Sequence, residues 1–203
     1  MFIVIRLIIV FIGLIIPVLV YRFSTKIRNK RVLIFFMALA LTVSSLCGAI
    51  PFENAFVTFD TPESVCVYQF NEHPLYCAEG ENSALFFYSQ NQSLYYSGTI
   101  KKNGGWKMIM GGNVNSQYQR IDNSVSIYIY QIGNIDDMYI KIQNWGDKSI
   151  LDLADSRGTT FTRVSLLKNE EVFCAYIGKT DPLYCVTVNG NTIYPFIRTN
   201  HSK

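Results

Sequence analysis

The strongest constraint on this chain is a hydrophobic period of two. In SVSIYIYQI, residues 124–132, Val125, Ile127 and Ile129 fall on one side of an extended strand, and Ser126, Tyr128 and Tyr130 fall on the other. Similar runs rich in Ile, Val, Tyr, Phe and Thr predict strands at 75–78, 84–89, 94–101, 106–110, 125–132, 138–145, 149–153, 160–167, 172–177, 183–188 and 192–197. Turn signals separate them: GEN, KNGG, GNIDD, WGDK, DSRG and NGN. The pattern predicts a mainly antiparallel β meander curled into a sandwich or open barrel. The stretch 111–124 is polar, lacks a period and reads as a long loop. One short helix is expected near the start, at 61–70. Asp60 or Thr61 can cap it, Pro62 suits its first turn, and Glu63 suits the positive end of its dipole.

The first fifty residues differ in kind. They contain no Asp or Glu, and their charges are Arg6, Arg22, Lys26, Arg28, Lys30 and Arg31. Two apolar runs, 2–21 and 32–50, are each long enough for a helix that crosses the hydrocarbon core of a lipid bilayer. The expectation is a membrane anchor over 1–50 with two transmembrane helices. The basic loop 22–31 carries Arg22, Lys26, Arg28, Lys30 and Arg31, which places that loop in the cytoplasm. Residues 51–203 then form an extracytoplasmic β domain of a multi-pass protein of the cell membrane. Ser44, Ser45 and Gly48 offer a small-residue contact between helices. Cleavage after the weak small-residue sequence at 47–49 is the alternative to a retained second span. Taking out the six bases leaves residues 51–203 with 12 bases against 15 acids. That balance argues against nucleic acid as a partner.

Four of the five cysteines sit in two matching frames, VCVYQFNEHPLYC at 65–77 and FCAYIGKTDPLYC at 173–185. If 172–177 and 183–188 form a hairpin in which Tyr176 faces Leu183, Cys174 faces Cys185 within disulfide reach. The favoured pairing is local, Cys66–Cys77 and Cys174–Cys185. Pairing between the frames, Cys66–Cys174 and Cys77–Cys185, remains open. Disulfides agree with a place outside the cytoplasm. The frames lack the close ligand pairs of zinc sites and any Cys-x-x-Cys motif, so no metal is implied.

No cofactor signature appears, and the two histidines, His73 and His201, stand in a loop and a tail. The acidic pairs Glu79/Glu81 and Asp136/Asp137 fall in turns, where acids are common. The positive signal is aromatic: 13 Tyr and 14 Phe. Tyr128 and Tyr130, on the side of their strand expected to face solvent, are the candidate binding patch.

PFENAFVTFDTPES, AEGENSALFFY and GGWKM together resemble uncharacterised two-span membrane proteins of Gram-positive bacteria. The resemblance covers about residues 30–110. It implies the two-span architecture and a bacterial cell surface, with no activity attached and no counterpart to the cysteine frames. The expected function is that of a non-enzymatic, disulfide-stapled interaction module of the cell envelope that binds a protein or an envelope polymer. The alternatives are an accessory subunit of a membrane enzyme or transporter, or an immunity or sensor protein.

Overall fold

The computed structural model describes residues 52–196, apart from 110–113, 122–123, 147–148, 165–169 and 180–181. It also describes the helix α1 (Lys30–Ala49) and, before it, helical positions at 7–8, 11–13, 15–16, 18–19 and 22. After a 3₁₀ turn at Phe52–Ala55 comes α2 (Pro62–Phe70). Thr61 caps α2, accepting from the Ser64 amide at 3.2 Å, with Pro62 in the first turn and Asn71 closing the helix in a left-handed conformation.

Among the described residues twelve strands follow, and every pairing between them is antiparallel. Sheet A is four-stranded: β1 (Tyr76–Glu79), β2 (Ser83–Gln90), β3 (Ser93–Lys102) and β4 (Gly105–Met108), in chain order. Sheet B has the order β5-β6-β7-β10-β9: β5 (Val114–Arg120), β6 (Val125–Ile132), β7 (Met138–Asn144), β10 (Glu171–Tyr176) and β9 (Thr162–Arg163). Sheet C is small and has the order β12-β11-β8: β12 (Asn191–Ile193), β11 (Val186–Val188) and β8 (Leu153–Asp155).

The layers stack as α2, sheet A, sheet B, sheet C. Val65 and Cys66 of α2 pack on Ala84, Phe86, Tyr88 and Trp106 of sheet A. Leu85 and Phe87, on the other face of β2, meet Tyr130, Ile132 and Tyr139 of sheet B. The opposite face of sheet B, with Val125, Ile127, Ile129, Ile140 and Ala175, packs on Val186 and Val188 of sheet C. Burial on both faces explains why β2 reads as the near-continuous apolar run SALFFY. Sheets A and B come so close at Gly98 that a Cβ there would collide with the Ile132 side chain, which accounts for glycine inside a strand.

Several expectations are corrected. Among the described residues no helix is long and apolar enough to cross a membrane. The two transmembrane helices, the multi-pass anchor and the extracytoplasmic placement are therefore not supported. α1 opens on Lys30 and Arg31, and Thr42, Ser44 and Ser45 interrupt its apolar run. Much of the first expected span and most of the basic loop, with Lys26 and Arg28, lie outside the described residues, as do the side chains of Ser44 and Ser45. Cys66, Cys77, Cys174 and Cys185 are free, so the disulfide staples are overturned. The physical reason is topological. β10 pairs with β7 and β9, not with β11, and Lys141 and Thr162 stand opposite Cys174. The meander is broken at the same place, and the expected loop 111–124 contains β5.

Candidate functional site

Strand register builds a transverse row on the sheet-B face that looks toward sheet A. Tyr118 of β5 is opposite Tyr128 of β6, which is opposite Lys141 of β7, which is opposite Cys174 of β10. Thr162 of β9 ends the row. The neighbouring row is Ser116, Tyr130, Tyr139 and Tyr176. Sheet A covers Tyr130 and Tyr139 of the second row and leaves the first row partly open. Tyr118 is 56% exposed, and Tyr130 only 1%. Tyr130 is therefore a core residue rather than part of a solvent-facing patch. Tyr128 is half-buried between it and the rim.

The rings form a connected ribbon. Tyr118 and Tyr128 lie 5.1 Å apart between ring centres, Tyr128 and Tyr130 stack at 6.3 Å, and Tyr130 meets Tyr96 of β3 at 4.5 Å. Tyr96 is 40% exposed, so the ribbon surfaces at both ends. Offset and tilted contacts of this kind add to the apolar burial. Lys141 Nζ sits 4.1 Å from the Tyr128 ring centre and donates to Gln143 Oε1 at 2.8 Å, while the Gln143 amide donates to the Glu170 carboxylate. The Tyr118 and Ser126 hydroxyls are 3.3 Å apart. A file of polar groups with fixed directions thus runs beside the ring faces.

Burial pulls the Lys141 ammonium below the usual lysine range, and Cys174 and Glu170 push it back up. Burial also raises the Cys174 thiol, despite Lys141 opposite it. A buried thiol with a disfavoured thiolate is a poor nucleophile. Desolvation likewise raises Tyr128 and Tyr130. The row is therefore equipped to hold a ligand by ring faces and hydrogen bonds.

The other cysteines are packing groups. Cys66 and Cys77 share a cluster with Phe86, Tyr88 and Phe70. Burial pushes the Cys66 thiol up to about 12 and raises Cys77 further. His73, Glu79 and Glu81 are exposed around the ends of β1. Asp136 and Asp137, in the turn before β7, have different surroundings. Asp136 pairs at the surface with Lys179 at 2.8 Å, whereas Asp137 is 4% exposed. Among the described residues no group of three or more His, Cys, Asp or Glu is placed to hold a metal.

Two buried polar knots escaped the sequence reading. Asp137 accepts from the Asn82 amide at 2.8 Å, the Ser83 hydroxyl at 2.9 Å and the Tyr176 hydroxyl at 3.0 Å. Ser83 also contacts the Tyr139 hydroxyl at 2.8 Å. Lys107 donates to the Asn54 carbonyl at 2.8 Å, the Val57 carbonyl at 2.6 Å and the Thr58 hydroxyl at 2.7 Å. The Asn54 side chain pairs both ways with the Met108 backbone, and Phe59 bridges to Trp106. The motifs PFENAFVTF and GGWKM are thus two sides of one contact.

Two carboxylates, Asp155 of β8 and Glu171 of β10, are held low by the groups around them. Burial raises Asp155, but donors on Thr159, Arg157 and Tyr184 outweigh it and hold the carboxyl below its usual range. Glu171 is lowered in the same way, with Ile150, Asn144 and Arg163 outweighing burial. A carboxylate depressed in the fold contributes stability that is present above its unfolded value and lost as pH falls through the folded one. The melting temperature should therefore decline below about pH 4. Asp155→Asn and Glu171→Gln should each flatten that decline in a pH series of melts. An unchanged slope would show these carboxylates to be uncoupled from folding.

No family model, no curated protein and no solved structure matches this chain.

Proposed function

We propose that residues 52–196 form a non-enzymatic recognition module whose ligand lies along the Tyr118–Tyr128 row. The observation that supports this reading is the pairing of ring faces with a preordered polar file. Tyrosine faces stack on the apolar faces of a flat, polyhydroxylated ring, and the Lys141–Gln143–Glu170 chain presents donors and acceptors whose directions are already set. A neutral glycan chain is the ligand class that uses both. The formal balance of 12 bases against 15 acids in residues 51–203 favours a neutral over an anionic polymer.

The test is titration of the protein with a panel of neutral oligosaccharides, followed by heteronuclear NMR. Shifts should cluster at Tyr118, Tyr128 and Gln143. Tyr118→Ala should weaken binding by about tenfold or more, as truncation of an aromatic anchor does. Its melting temperature should hardly move, because Tyr118 is mostly exposed. Binding that ignores Tyr118→Ala, or shifts that cluster elsewhere, would remove this reading. Shifts at the ribbon induced only by peptides would replace the glycan with a protein partner.

A further inference from the structure

β5 is an edge strand seven residues long, and among the described residues no strand lies beyond it. Natural sheets protect such edges with prolines, inward charges or bulges. VNSQYQR has no proline and no charge before its last position, and it pairs with β6 without a bulge. Positions 115–118 are exposed. A regular, uncharged edge of this length is a template for another strand.

The backbone parity says which groups are on offer. The Ile121 amide donates to the Val125 carbonyl at 3.0 Å, so position 121 points toward β6. By alternation Gln119, Gln117 and Asn115 also point toward β6, and the amides and carbonyls of Ser116 and Tyr118 point outward.

We infer that β5 is the seam of a two-fold symmetric dimer, in which two copies of this chain pair β5 to β5 antiparallel about Gln117. The pattern complements itself in that register. Gln117 meets the partner's Gln117, Asn115 meets the partner's Gln119, and small Ser116 lies beside the partner's Tyr118. Amides face amides, no like charges oppose, and Ser116 and Tyr118 exchange the outward hydrogen bonds. A two-fold contact must be self-complementary in this sense. Sheet B of each copy would continue into the other as one ten-stranded sheet. The two Tyr118 side chains, on the same face, would bring the two ribbons into one. This inference stands independently of what the ribbon binds.

The register makes a sharp prediction. Gln117 would be a non-hydrogen-bonded pair, with Cα atoms about 4.5 Å apart, inside the disulfide range. Gln117→Cys in the full chain should therefore form a reducible dimer under mild oxidation, above the background of the unsubstituted protein run beside it. Asn115→Cys should not, because it faces the partner's Gln119. The double variant Asn115→Cys/Gln119→Cys should cross-link again. In sedimentation the unsubstituted chain should have twice the mass of Ser116→Pro, which removes an outward amide and leaves the β5–β6 ladder intact. Gln117→Lys, which sets two ammonium groups face to face, should also halve the mass. Failure of Gln117→Cys to cross-link, cross-linking by Asn115→Cys alone, or an unchanged mass in a folded Ser116→Pro would overturn the dimer.

Discussion

Asp137→Ala should destabilise the folded part by about 3–5 kcal/mol. Asp137 is buried and takes donors from both sheets, the Asn82 amide and Ser83 hydroxyl from sheet A and the Tyr176 hydroxyl from β10 of sheet B. Removing the carboxylate takes the acceptor from the Asn82 amide and the Tyr176 hydroxyl, and leaves the Ser83 hydroxyl only the Tyr139 oxygen to turn to. The backbone has closed tightly over this knot. A Cβ on Gly80 would lie 2.8 Å from Asp137 Oδ2, from the Tyr139 hydroxyl and from the Tyr176 ring. For a domain of this size the melting temperature should fall by roughly 10 °C or more. Asp137→Asn gives a graded control. Its oxygen can still accept from Asn82 and Ser83, and the Tyr176 hydroxyl can turn to accept from the new amide. It should cost about 1–2 kcal/mol. Equal losses from the two variants would show that the negative charge, rather than the hydrogen bonds, is what the site needs.

Lys107→Met should have the second largest effect, and a local one. The three protons of the ammonium are matched by three acceptors on the strap at 54–58, and the stem is buried in sheet A. Methionine keeps most of the apolar volume and removes every donor. The expected cost is about 2–4 kcal/mol, since the Asn54 and Val57 carbonyls lose charge-assisted partners. The strap should loosen before the sheets do. Chymotryptic cleavage after Phe59, whose backbone is tied to Trp106 at 3.0 and 2.8 Å, should then accelerate by at least about tenfold under native conditions. Lys107→Arg should not rescue it, because a planar fork cannot reproduce three divergent donors. A cleavage rate equal to that of the parent protein would mean that the Asn54–Met108 and Phe59–Trp106 pairs hold the strap without the lysine.

Much of the β framework was legible in the sequence because local rules and tertiary context agree there. β6 has the predicted bounds, and the Thr61 cap and Pro62 start are where the signals put them. β5 was missed because an edge strand need not bury either face, so NSQYQ carries no hydrophobic period. Tyr130 was misplaced for the opposite reason. Alternation separates two faces but does not say which is wet, and in a middle layer neither is. The cysteine frames misled because matching sequence does not imply matching structure. The first frame runs from α2 into β1, and the second leaves β10 for a turn before β11. The partners of Asp137 and Lys107 could not be read from the sequence, since they come from 39 to 55 positions away in the chain. The ribbon lay between these cases. Tyr128 was picked out by its strand, but Tyr118, Tyr96 and Lys141 join it only through register and sheet stacking.

The order β5-β6-β7-β10-β9 also sets the sequence in which this molecule can assemble. β5, β6 and β7 close by short hairpins and need only their neighbours. β9 is made before β10 but lies outside it, paired with Phe173 and Cys174. It has no edge to join until β10 has crossed back to β7, with a loop closure of about thirty residues to complete first. Until then the β10-facing edge of β7 is bare, with the Lys141 ammonium standing next to it. β9 is therefore the last strand that sheet B can add.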